Sequence, residues 1–237
     1  MPYYGYGFGY GYGIDPAYLV LVLVSSVLGL LAQSYINRTY KTWSRVDARA
    51  SVSGADVARR MLDDNGCGRV GIRRVGGHLS DHYDPRDNNL YLSSENFAGG
   101  SVASIAVACH EAGHAAQRER GYALMKVRSA LVPVVNFSQS IWMVVFLLGV
   151  VMNVSGLTTL AVALFGFSVV FQLVTLPVEI DASRRAVAYI HASGMGETAV
   201  RGARKVLTAA ALTYVAAALT SIMQLLYIIG RTRRDDN

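Results

Sequence analysis

VASIAVACHEAGHAAQ, residues 102–117, is the stretch that decides what kind of chain this is. Ser101 before it is suited to capping a helix, and Arg118, Glu119 and Arg120 close the apolar pattern behind it. On a helix, residues four apart share a face, so His110 and His114 can chelate one metal ion, with Glu111 beside it. A zinc ion held this way acidifies a water and polarises a carbonyl, and Glu111 can take the water's proton and pass it to a leaving amine. The residues before the motif are apolar (IAVAC). Those within and after it are small (Ala112, Gly113, Ala115, Ala116), as suits a helix packed closely against a scaffold. Two histidines and a glutamate on such a helix would be costly to bury without a cation to hold. One zinc ion is therefore the expected cofactor.

Outward from this helix the chain divides into soluble and apolar blocks. Hydrophobic residues make up 52% and charged residues 16% of the 237 residues, well below the usual charged share of about 25%. The apolar excess collects in four runs, about Tyr18–Ile36, Leu131–Val154, Leu157–Val178 and Val206–Ile229, each long enough to cross a bilayer. None has Asp, Glu, Lys or Arg in its interior, which argues against a transporter or channel. The first run lacks a basic leader and a small-x-small cleavage site, so it reads as a retained anchor. The expected segments are a flexible Gly/Tyr-rich tail over 1–17, an anchor over 18–36, a catalytic unit over 37–130 and a membrane hairpin over 131–178. A third-ligand helix with a basic segment over 179–205 and a last span with its tail over 206–237 complete the chain.

Charge placement orients these segments. The net charge is +6, but Lys and Arg stand mainly beside the apolar runs, where they set membrane orientation, so no nucleic-acid partner is expected. Nothing before the first run is basic, while Arg38, Lys41, Arg45 and Arg49 follow it, which predicts a cytoplasmic catalytic unit. Arg184, Arg185, Arg201, Arg204 and Lys205 return to the same side. The tail RTRRDDN falls outside and dissents from the rule.

Within 37–130, Ser53 caps a helix through ADVARRMLDDNG that Gly66 ends. Strands are expected around Val70–Val75 and Asn89–Leu92, the second entered through a DPRDN turn. Cys67 and Cys109 form no ligand spacing with each other and read as packed small hydrophobes.

A catalytic zinc site uses three protein ligands and leaves a position for water. The remaining histidines are His78, His82 and His191, and the carboxylates are more numerous. Glu179, just past Pro177 where the third run must end or kink, is the best placed of them. On position alone it could equally be an interfacial charge facing water.

VACHEAGHAAQ, LSDHYDPRDNNLYLS and TLPVEIDASRRA, in this order and separated by a membrane hairpin, resemble the YugP-type bacterial family of membrane neutral zinc metallopeptidases. The likeness runs from about Tyr35 to the last apolar run. More distantly, the chain resembles the HtpX-type membrane gluzincins. The resemblance implies Glu179 as third ligand. The gluzincin pattern often carries an acid four positions later, where this chain has Ser183, its acid being Asp181 instead. The resemblance also implies an edge strand at Asn89, Leu90, Tyr91 and Leu92 that pairs with an extended substrate; the same residues could equally form an interior strand. His82, Tyr83, Arg185, Tyr189 and His191 could each donate to the oxyanion, the sequence not choosing among the five, and Asp181 could orient a ligand.

The expected fold is mainly α: a multi-pass membrane protein with about four transmembrane helices and a small cytoplasmic α+β zincin-like unit. The expected function is a zinc metallopeptidase of the cell membrane that cuts membrane-associated or unfolded polypeptides at the bilayer surface. The competing readings are a zinc-binding scaffold that does not cut and a site-2-type protease working inside the bilayer. Oligomeric state is not legible from the sequence.

Overall fold

A computed structural model describes residues 15–48 and 51–235, with side chains through residue 230, and among these described residues there are three short strands and seven helices. Most of the expected N-terminal tail lies outside the described residues, and residues 16–17 already belong to the first helix. Helix α1 (Pro16–Trp43) starts at Asp15, whose carboxylate accepts from the Ala17 amide. Helix α2 (Gly54–Asp64) starts from a capping box. The Ser53 hydroxyl accepts from the Asp56 amide at 3.2 Å, and the Asp56 carboxylate accepts from the Ser53 amide at 2.9 Å. Asn65 caps its far end, and Gly66 follows at φ +78°.

Strands β1 (Gly71–Val75), β2 (His82–Asp84) and β3 (Asn89–Ser93) form one sheet in the order β1-β3-β2. β3 pairs in parallel with β1, Gly71 opposite Asn89, and antiparallel with β2, Tyr83 opposite Leu90. The expectation that Asn89–Leu92 form an edge open to substrate is therefore corrected. β1 lies along the whole of one side and β2 along Asn89–Tyr91 on the other, so the strand is the middle of the sheet and not an open edge. Leu90 and Leu92 point into the core, and the intervening Tyr91 lies on the other face. A short α3 (Ser94–Ala98) leads on to α4.

Helix α4 (Val102–Glu119) is the centre of the molecule, starting where the Ser101 side chain accepts from the Ser104 amide. Ala103, Ala106, Ala108, Cys109, Ala112 and Ala116 are fully buried, so small side chains let α2, α6 and α7 close around this helix. Burial pushes the Cys109 thiol up to about 12, which agrees with a packed, unreactive cysteine. Cys67 is buried as well.

Helices α5 (Ala123–Val151), α6 (Ser155–Ala192) and α7 (Glu197–Asp235), with α1, are the four helices among the described residues that are long and apolar enough to cross a membrane. Leu23, Leu30, Phe137, Leu147 and Leu226 stand exposed along them, as a lipid-facing surface requires. Only three residues separate α5 from α6, the tight hairpin that the apolar pattern predicts. Of the two outcomes open at Pro177, an end or a kink, the helix does not end there: α6 continues through Pro177 to Ala192. A proline removes one helical hydrogen bond, and here the helix is buried around it at Val178, Glu179 and Ala182.

Candidate metal centre

Two helices bring the centre together. α4 supplies His110 and His114 from successive turns, and α6 crosses it to supply Glu179, 69 residues after His110. The His110 Nε2 atom lies 3.1 Å and the His114 Nε2 atom 3.4 Å from the Glu179 Oε2 atom. One ligand atom from each residue falls within 4.8 Å of the others. The side chain of Glu179 is 3% exposed and those of the histidines 12% and 8%, so water does little to neutralise the group.

The far side of each imidazole is held. Gln117 donates its amide nitrogen to the Val178 carbonyl and to the Asp181 carboxylate, each at 2.8 Å. With that nitrogen committed to two acceptors, the Gln117 oxygen is what faces His114 Nδ1 at 3.0 Å. The His114 Nδ1 then carries a proton; in the neutral ring the lone pair sits on Nε2, free for a cation between His110 and Glu179, and in the protonated ring the same Nε2 donates to Glu179. Arg185 donates to the same Asp181 oxygen at 2.7 Å and completes the relay. His110 Nδ1 lies 3.2 Å from the Ser183 hydroxyl, the residue standing where the gluzincin pattern has an acid. On the carboxylate's other side, Arg128 of α5 approaches the Glu179 Oε1 atom to 3.8 Å.

Electrostatics favour a cation here. Burial alone would lower the proton affinity of His114, but the hydrogen bond and charge of Glu179, with the charge of Glu111, overcome it and move its pKa upward. The same negative field attracts a metal ion. Two imidazole nitrogens, one carboxylate oxygen and fixed ring orientations form a donor set suited to zinc.

The centre opens on a cavity of about 510 Å³ lined by His110, Glu111, Glu179 and Ser183. Its other walls are Gln33, Ile36 and Tyr40 of α1, His78 and Asp81 of the β1–β2 loop, and Ala210 and Tyr214 of α7. Glu111 is 8% exposed and lines the cavity with His110, while His114 lies behind them, off the cavity wall.

Of the residues singled out by sequence, Asp181 and Arg185 reach the centre through Gln117, as orienting groups. Arg185 is absent from the cavity wall, so a role as oxyanion donor does not fit it. Tyr189 donates to Asp64 at 3.0 Å on the side facing α2, and His82 stacks on Tyr91 at 4.9 Å. Neither lines the cavity, and the expectation that they donate to an oxyanion is corrected. Four residues at the centre were not anticipated in these positions: Gln117, Ser183, Arg128 and Tyr214. Gln117 was legible as the helical i+3 neighbour of His114. Nothing in the local sequence marks Arg128 or Tyr214.

Fold and site together define a scaffold of membrane-type helices around a buried two-histidine, one-glutamate centre of the zinc-peptidase kind. The chain belongs to the family described as "Putative neutral zinc metallopeptidase", whose pattern matches residues 18–233. It is 40% identical over 223 residues to a Bacillus subtilis (strain 168) protein named "Putative membrane protease YugP", covering 93% of this chain and 99% of that one. No solved structure matches.

Proposed function

We propose that this protein is a zinc-dependent endopeptidase that hydrolyses membrane-associated or unfolded polypeptides at the cytoplasmic surface of the cell membrane. The observation that carries this reading is the convergence of His110, His114 and Glu179 beside a cavity that His110, Glu111 and Glu179 line. Zinc bound there would supply Lewis acidity, polarising the scissile carbonyl and making a water nucleophilic near neutral pH. His110, His114 and Glu179 would hold the ion, and the Gln117–Asp181–Arg185 relay fixes the His114 ring with its Nδ1–H on Gln117. Glu111 takes the proton of the attacking water and returns it to the leaving amine. Tyr214, in the cavity wall and within electrostatic reach of Glu111 and Glu179, is the best placed hydroxyl to donate to the developing oxyanion.

Gln33, Ile36, Ala210 and Tyr214 belong to helices suited to crossing the bilayer, so the cavity stands at the edge of the apolar layer. That position favours substrates delivered along the membrane. The basic residues at the end of α1 and just after it, at the end of α6 and at the start of α7 support a cytoplasmic placement. The deciding experiment measures zinc content and cleavage of casein and of a membrane-protein substrate for the purified protein and for Glu111→Gln. Zinc bound with no cleavage by the unaltered protein would favour a scaffold that binds without cutting.

A further inference from the structure

A second groove, of about 830 Å³, runs between α6 and α7 beside the metal cavity. We propose that it binds an anionic phospholipid, the phosphate held by Arg184 and Arg204 and an acyl chain lying along Leu176, Ile180, Leu212 and Val215.

The groove is divided by chemistry along its length. Arg184 and Arg204 are exposed in its wall, one from each helix, and neither side chain makes an ion pair or hydrogen bond among the described residues. The nearby Asp181 is already paired with Arg185 at 2.7 Å. Ile180 lies one turn and Leu176 two turns from Arg184 toward the bilayer, and on the antiparallel α7, Leu212 lies two turns beyond Arg204. Two turns of helix rise about 11 Å, so a short charged end gives way to an apolar slot. The apolar runs that flank the α6–α7 connection end at Val178 and resume at Val206, which puts both arginines just outside the hydrocarbon layer. A headgroup phosphate and its acyl chain meet at the same boundary, and basic clefts between spanning helices are suited to anionic headgroups.

A polypeptide fits this groove less well. Toward the bilayer from the arginines its polar lining is the Ser183 and Thr208 hydroxyls, so most of a peptide backbone would lose its hydrogen bonds to water without replacement. An acyl chain asks for none. Ser183 lines both this groove and the metal cavity, so a lipid held here would lie one side chain from His110.

The test is native mass spectrometry of the full chain in detergent, titrated with phosphatidylglycerol and phosphatidylcholine of equal chain length. The unaltered protein should prefer phosphatidylglycerol by on the order of tenfold. The pair Arg184→Gln and Arg204→Gln should lose that preference, and the Lys pair at these positions should keep most of it. Arg38→Gln with Lys41→Gln, which removes equal charge at the end of α1, should leave it intact. Leu212→Trp, which fills the slot without touching charge, should reduce binding of both lipids. Equal binding of the two lipids by the unaltered protein, or an equal loss in the α1 pair, would overturn the proposal. Displacement of phosphatidylglycerol by millimolar inorganic phosphate would overturn it in favour of an anion site, and displacement by unfolded casein in favour of a polypeptide groove. None of these readouts depends on zinc or on cleavage.

Discussion

Gly113 of α4 and Ala182 of α6 are in backbone contact: a Cβ at position 113 would stand 2.9 Å from the Ala182 carbonyl oxygen and 3.3 Å from its Cα. The helices cross there, one residue before His114 and three after Glu179, and this closeness is what brings the carboxylate to the imidazoles. Gly113→Ala must push a backbone aside and carry Glu179 with it. Zinc affinity and cleavage should both fall, the latter by up to about a hundredfold for a displacement near 1 Å. Zinc titration against a competing chelator checks the first, and casein cleavage the second. Parent-like values for both would mean that the crossing has slack.

Glu111→Gln should abolish peptide cleavage and leave zinc stoichiometry near that of the parent, because this residue acts on water without ligating metal. Turnover comparable with the parent would sink the mechanism. Loss of zinc and fold together would make Glu111 structural.

Glu179→Ala should weaken zinc binding and activity together, since two histidines are too few ligands. Glu179→Asp should fall between, its carboxylate withdrawn by one methylene. Asp181→Asn and Gln117→Ala should each cost about 10–100-fold in affinity, acting through the orientation of His114 alone. Gln117→Ala is expected to be the more severe, because Gln117 is the residue that touches the ring at 3.0 Å. If Glu179→Ala binds zinc as tightly as the parent while Asp181→Asn loses it, Asp181 is the ligand instead.

With Cys67 and Cys109 replaced, a cysteine at Arg45 or Arg120 should be protected from an impermeant thiol reagent in intact cells. One at Gly5 should react. Labelling at position 45 without disrupting the membrane would place the centre outside the cell.

The Asp56 carboxyl sits below its ordinary pKa because the Ser53 hydroxyl and amide hydrogen-bond to its charged form. A depressed folded pKa means stabilisation that is present above the ordinary value near 3.8 and lost as pH falls through the folded value. Hydrogen exchange should therefore show α2 fraying earlier than α4 below about pH 4. Ser53→Ala should cost about 1 kcal/mol at neutral pH, with the loss read as faster exchange over residues 54–64. Unchanged protection would show that packing alone holds the helix.

By itself the sequence determined the parts whose causes are local. Helical period placed His110 and His114 on one face, and run length and the absence of charge marked four spanning helices. Side-chain chemistry started α2 at Ser53 and α4 at Ser101. What the tertiary structure decided depends on segments that meet at a distance. Glu179 looked equally like an interfacial charge until α6 crossed α4 at Gly113. Asn89–Leu92 could not be read as edge or centre, because a strand's neighbours are chosen by β1 and β2, not by its own residues. Pro177 reads locally as a breaker, yet α6 continues through it with Val178, Glu179 and Ala182 buried beyond. The partners of the centre, Arg128 from α5 and Tyr214 from α7, carry no local pattern at all. Their role comes from proximity, and proximity across scores of residues is set by which buried faces pack together rather than by any spacing along the chain.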